Sequence, residues 1–217
     1  ITALITGAAF ILMALLPVIS AFKNRHPPAE LFRESAVLRQ MIDEKLLEAT
    51  VKIQVITDEM GIGMREKTGT GFNINPEGLI VTNHHVIDKA NKIIIAFPDG
   101  KTFNAKNWSS RPEYDLAVIE LKQDGLESVP LSLGKLPKSG EPLLVIGNPL
   151  GFNNLAIKGE LVGYTLLKEK PIPVMTMDLA IFPGNSGSPV FDNDGEVVCV
   201  VFGVLKRERS EEHTSEL

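Results

Sequence analysis

GTGFNINPEGLIVTNHHVI, residues 69–87, decides how the rest of the chain is read. Two β-rich runs, TGTGFNIN (68–75) and GLIVTN (78–83), flank the turn NPEG (75–78), whose Asn, Pro and Gly suit the dihedral angles of a reversing chain. The stretch reads as an antiparallel strand pair ending in two histidines. Outward from it the same pattern recurs in TVKIQVIT (50–57), KIIIAF (92–97), KTFNAKNW (101–108) and DLAVIEL (115–121), with a second turn at FPDG (97–100). A looser segment, residues 122–141, separates these six runs from five more: PLLVIG (142–147), LAIKGELVGY (155–164), IPVMTMDL (172–179), SPVFDN (188–193) and GEVVCVVFG (195–203). Six strands and then five predict an all-β chain of two small antiparallel barrels, one over 49–125 and one, with its linker, over 126–208. The second set is one strand short of closing.

Composition narrows the function. With 44% hydrophobic and 23% charged residues, the 217-residue chain has the make-up of a globular protein and not of a disordered one. A single cysteine excludes an internal disulfide and a cysteine-built zinc site. A net charge of −5 offers no basic surface for nucleic acid.

Both ends stand apart from the barrels. Residues 1–22 carry no charge, and as a helix rising ~1.5 Å per residue they would extend about 33 Å, enough to cross a bilayer. They read as a transmembrane anchor or a cleaved export signal, and a buried core helix is the plainer alternative. The region 23–48 reads as a stalk helix, with Leu31, Val37, Leu38, Met41, Ile42 and Leu46 at roughly helical spacing. At the other end, RSEEHTSEL (209–217) looks like translated sequencing adapter.

Three short motifs carry candidate chemistry. Setting aside His26 beside the apolar segment and His213 in the tail, a histidine base must come from His84 or His85, and strand alternation would let only one face a site. Ser186 lies in GNSGSP (184–189), between small residues that let the backbone turn sharply, so that the N–H groups of Gly184 and Ser186 can converge on one point; a plain hairpin turn would look the same. Asp115 opens the apolar run of YDLAVIEL (114–121), where a carboxylate needs a partner: a histidine N–H, or backbone amides.

Taken together and in order, GTGFNINPEGLIVTNHHVI, YDLAVIEL, LLVIGNPLGF (143–152) and MDLAIFPGNSGSPVFDNDGEVV (177–198) resemble the HtrA (high-temperature-requirement) family of trypsin-like serine endopeptidases over about residues 51–204. The resemblance implies a chymotrypsin-like double six-stranded barrel. It also implies a catalytic His85, Asp115 and Ser186, and an oxyanion hole at Gly184, Asn185 and Ser186. No metal or organic cofactor is implied. Unfolded polypeptides are the implied substrates, a homotrimer the implied assembly, and the periplasmic side of a membrane, reached through residues 1–22, the implied location. Ser188 departs from the family, which mostly has Gly there, and gives a form that resembles glutamyl endopeptidases and some HtrA relatives. That pocket is expected to be walled by Leu179, Ala180, Ile181, Phe182, Val200, Val201 and Phe202, all uncharged. The rival reading is a catalytically silent barrel that binds exposed peptide segments. A further expectation concerns the gene: long-read sequencing should show a coding region without RSEEHTSEL that continues into at least one more β-rich segment, and a native stop codon after Leu217 would overturn it.

Overall fold

The computed structural model describes residues 17–19, 29–59, 63–132, 136–168 and 170–203. Thirteen strands are present among them: β1 (Pro17–Ile19), β2 (Thr50–Glu59), β3 (Gly63–Asn73), β4 (Leu79–Thr82), β5 (Lys92–Ala96), β6 (Thr102–Asn104), β7 (Asn107–Arg111), β8 (Leu116–Glu120), β9 (Pro142–Gly147), β10 (Leu155–Thr165), β11 (Val174–Asp178), β12 (Pro189–Phe191) and β13 (Val197–Gly203). Three short α-helices accompany them, α1 (Ala29–Arg39), α2 (Glu44–Glu48) and α3 (His84–Ile87).

The first unit is a seven-stranded sheet in the order β6-β5-β2-β3-β4-β8-β7. The run KTFNAKNW is not one strand but two, because Ala105 and Lys106 turn away from a common partner. The Ala105 N–H donates to Ile93 beside β6, whereas the Lys106 N–H donates to Glu120 beside β7. The edge strands β6 and β7 are thus joined by two residues, which holds the two edges within about 11 Å and forces the sheet to curl into a half-barrel.

The second unit is a closed barrel in the order β1-β11-β10-β9-β12-β13. The expected gap in this barrel is filled from the chain's beginning. β1 runs parallel to both neighbours, with Val18 opposite Met175 and Val201. Unpaired N–H and C=O groups on β11 and β13 need partners, and an uncharged strand starting at Pro17, where no N–H is required, supplies them. The expected N-terminal helix is therefore a strand at Pro17–Ile19, and the remainder of 1–22, like 209–217, lies outside the described residues. Among the described residues no helix is long and apolar enough to cross a membrane.

The helical stretch expected before the barrels is broken in two. Asp43 caps α2, its carboxylate accepting the Lys45 N–H at 3.0 Å, so the chain turns between α1 and α2. α1 packs on the second barrel through the Ser35 hydroxyl, which accepts the Ala156 N–H at 2.9 Å, and through Phe32, whose ring lies 4.6 Å from that of Phe152.

Each unit has its own apolar interior. Val51, Ile53 and Val55 from β2 alternate inward to meet Ile80, Ile93, Ile95 and Ile119 in the first, and Val145, Ile157, Met175 and Val201 meet in the second. A third cluster joins the units, with Phe72, Val81, Leu116 and Val118 on one side and Ile146, Ala156, Phe191 and Val200 on the other. β4 and β8 are buried on both faces, which explains why LIV (79–81) and LAVI (116–119) are continuous apolar runs rather than alternating ones. Phe72→Ala should cost about 3–5 kcal/mol in urea denaturation, since the ring is fully buried in the joint and its loss leaves a cavity there. A cost under about 1 kcal/mol would mean that the joint closes over the missing ring.

Candidate active site

The histidine pair begins α3, a single helical turn, and not the end of a strand. Adjacent side chains are then about 100° apart instead of opposed, yet their partners still separate them. The Nδ1 of His85 lies 2.7 Å from Asp115 Oδ2, and the His85 N–H donates to Oδ1 of the same carboxylate at 2.9 Å. His84 turns to Ser110, its Nδ1 2.9 Å from the hydroxyl. Asp115 thus has both partners considered from the sequence, a ring nitrogen and a backbone amide, supplied by one residue.

Asp115 is placed by the short 3-10 turn Pro112–Tyr114, after which it adopts a left-handed conformation with φ 55°. Its own carbonyl accepts from the His84 N–H at 3.1 Å and the Asn83 side-chain amide at 3.0 Å. Both ends of Asp115 therefore grip the start of α3, and the aspartate is buried while the His85 side chain remains 45% exposed.

Ser186 sits across the joint between the units. The bridge is Gly69: a Cβ there would come within 2.7 Å of Val86, the residue after His85, and 3.3 Å of the Ser186 carbonyl oxygen. The Ser186 carbonyl also accepts the Thr70 N–H at 2.9 Å. α3 and the serine turn thus both lean on β3 at Gly69, and the serine turn on Thr70 as well.

Around Ser186 each carbonyl is held. Pro183 accepts from the Leu150 N–H at 3.0 Å, Gly184 from the Thr70 hydroxyl at 2.8 Å and Asn185 from the Ser188 N–H at 2.9 Å. A trans peptide points its N–H opposite its C=O, so the N–H groups of Gly184 and Ser186 are turned away from those anchors. Neither has an acceptor among the described residues. The Asn185 N–H differs: it donates to Phe182 at 3.0 Å, so of the three residues expected to form an oxyanion hole, Gly184 and Ser186 have free donors. Gly184 has φ +100°, and a Cβ there would press on Asn148 and Pro149, so glycine is required on both counts.

Ser188 does not face a cleft. It is fully buried beside Asn185, and a Cβ on Gly147 would overlap both the Ser188 hydroxyl and the Asn185 side chain. Of the residues expected to wall a pocket, Leu179, Ile181 and Val201 belong to the interior of the second barrel, Phe182 is buried, and Val200 faces the opposite side of β13, in the joint. Strand alternation makes it impossible for Val200 and Val201 to line one cavity. Ala180 and Phe202 are partly exposed, and the Lys170 ammonium lies 5.0 Å from the Phe202 ring centre.

Cys199 is fully enclosed, and burial pushes its thiol well above the usual range, which removes it as a nucleophile near neutral pH. No group of three or more His, Cys, Asp or Glu among the described residues is arranged to hold a metal. Thr70 and Asn148 escaped the sequence reading; the small residues around Thr70 in GTG mark a close approach of backbone, but not what approaches.

Residues 69–200 match the family model of the trypsin-like peptidase domain. Among curated proteins, the chain is 38% identical over 138 residues to a "Probable periplasmic serine endoprotease DegP-like" of Marinomonas sp., covering 63% of this chain and 29% of that one. It is 38% identical over 144 residues to the protein of the same name in Pseudomonas fulva, covering 65% and 30%. The chain thus spans about 30% of the length of these relatives. Among solved structures, the active form of the Rv3671c protease of M. tuberculosis superposes with a TM-score of 0.66 at 25% identity, over 89% of this chain and 82% of that one. The HtrA-type protease AlgW with a tripeptide gives 0.65 at 27% identity, over 72% and 51%.

The packing beneath the serine turn can be tested through Gly147. Gly147→Ala should destabilise the protein by about 1–3 kcal/mol in chemical denaturation, because the new methyl has no room against Asn185 and Ser188. Ser188→Ala in that background should recover part of the loss. A Gly147→Ala protein as stable as the parent would show that the two buried side chains yield.

Proposed function

Because the chain belongs to the trypsin-like peptidase family, we propose that it is a serine endopeptidase of the HtrA type, hydrolysing peptide bonds through an acyl-enzyme. The observation that carries this reading is the 2.7 Å pairing of His85 Nδ1 with Asp115, beside a serine turn that offers two unspent N–H donors.

In the proposed mechanism Ser186 Oγ attacks the scissile carbonyl while His85 Nε2 takes its proton. Asp115 keeps the other proton on Nδ1, which leaves Nε2 free as the base, and stabilises the imidazolium that forms. Negative charge on the carbonyl oxygen is met by the N–H groups of Gly184 and Ser186, each such donor worth about 3 kcal/mol in the transition state. Collapse of the tetrahedral intermediate breaks the C–N bond, and His85 gives its proton to the leaving amine. Water, activated by the same base, then attacks the ester, and Ser186 is regenerated.

Unfolded or damaged polypeptides are the proposed substrates, met outside the cytoplasm, in keeping with the periplasmic names of the relatives. A homotrimer belongs to the same proposal, and so does attachment or export through the apolar segment 1–22, limited to the part of it ahead of β1. Cleavage after small or medium aliphatic residues is expected from the uncharged Ala180 and Phe202. A peptide library dominated by acidic residues would instead assign a role to Lys170.

Ser186→Ala should abolish casein cleavage and fluorophosphonate labelling, and retained activity would remove the serine from its role. Asp115→Asn should lower turnover by up to ~10⁴-fold with the fold intact, since an amide favours the wrong imidazole tautomer. His85→Ala should be inactive, whereas His84→Ala, whose ring is tied to Ser110, should keep most of its activity. The reverse result for the two histidines would exchange their roles.

A further inference from the structure

Thr70 sits in β3 of the first sheet, yet most of its polar groups serve the second unit. Its N–H donates to the Ser186 carbonyl at 2.9 Å. Its hydroxyl donates to the Gly184 carbonyl at 2.8 Å and accepts the Asn148 N–H at 2.9 Å. Its own carbonyl accepts the Thr82 hydroxyl at 2.7 Å, and the residue is fully buried.

These bonds leave the hydroxyl one direction to point. It has a single proton, and rotating that proton away from Gly184 while keeping Asn148 satisfied is blocked by the β-branched side chain and the buried setting. Asn148 is itself fixed, its Oδ1 accepting the Asn154 N–H at 3.0 Å and its Nδ2 donating to Val51 at 3.1 Å. A continuous polar chain therefore runs from β2 through Asn148 and Thr70 to Gly184.

What it fixes is the one carbonyl between Pro183 and Ser186 that no backbone N–H holds. The carbonyls of Pro183, Asn185 and Ser186 are held by backbone N–H groups, but that of Gly184 is held by a side chain. Gly184 also lies at φ +100°, a conformation open to glycine and strained for other residues. Without the hydroxyl, the 184–185 peptide, which lies between the two free N–H donors, is held only by the Asn185 N–H bond to Phe182 at 3.0 Å.

We propose that the Thr70 hydroxyl is a positioning group for the oxyanion donors, keeping the Gly184 and Ser186 N–H groups aimed at one point by holding the Gly184 carbonyl. It touches no reacting atom. The proposal rests on the reading of Ser186 as nucleophile. Its effect belongs to the transition state, where the oxyanion exists, and not to ground-state binding.

The test compares Thr70→Val, Thr70→Ala and Thr70→Ser with the unaltered chain, on a peptide substrate it cleaves and on the matching peptide aldehyde, whose hemiacetal oxygen occupies the oxyanion position. Thr70→Val and Thr70→Ala should lower kcat roughly 10- to 100-fold, less than loss of a donor itself, with KM within about twofold. Aldehyde affinity should fall by a similar factor. Thr70→Ser, which keeps the hydroxyl, should stay within about threefold of the parent on both. If Thr70→Val fails to fold by circular dichroism, Thr70→Ala against Thr70→Ser carries the comparison. Unchanged kcat in Thr70→Ala, an equal loss in Thr70→Ser, or a loss confined to KM with aldehyde affinity retained would overturn the proposal. An unaltered chain that neither cleaves casein nor takes up a fluorophosphonate would overturn the serine peptidase reading itself, a result distinct from an active parent with an indifferent Thr70.

Discussion

A hydrogen bond of 2.9 Å, from the Thr70 N–H in the first sheet to the Ser186 carbonyl in the second unit, marks the place on which the geometry of the site depends. His85 and Asp115 belong entirely to the first unit, and the serine turn entirely to the second. Each half is organised by local bonds, but the halves become one site only if the joint holds a fixed register. Apolar packing of Phe72 against the second unit brings the surfaces together without dictating sub-ångström alignment. The directional bonds at Thr70 and the close approach at Gly69 supply that alignment.

Glycine is used here where another backbone must come close. Gly69 admits Val86 and the Ser186 carbonyl, and Gly187, with φ +87°, leaves room for the Thr70 carbonyl and the Thr82 hydroxyl. Their positions outline the contact between the two units. The GTG and GNSG motifs, far apart in the chain, are two sides of one interface.

Strand content was legible in the sequence because a strand's signature is local. TVKIQVIT became β2 with Val51, Ile53 and Val55 all facing inward, as period-two alternation requires. Asp115 and Ser186 stood out for similar reasons, a carboxylate at the head of an apolar run and a serine flanked by small residues. The choice between His84 and His85 came from family resemblance; the alternation invoked for it does not apply on a helical turn, and it is the bond to Asp115 that separates them. Burial of the residues expected to wall a pocket was not legible, because a run of uncharged residues before Ser186 looks the same whether it lines a cleft or, as with Leu179 and Ile181, fills a barrel.

The sequence by itself determined the all-β class, the two sets of strands, the turns between them and the order of the histidine, aspartate and serine, because each is written in neighbouring residues. Tertiary structure alone decided that Pro17–Ile19 completes the second barrel, that Ser188 is enclosed, and that Thr70 reaches Gly184. The last contact joins residues 114 positions apart, and that between Asn148 and Val51 spans 97. Pairings at such separations leave no periodic trace in the chain, since they depend on how two finished surfaces meet and not on the dihedral preferences of either segment.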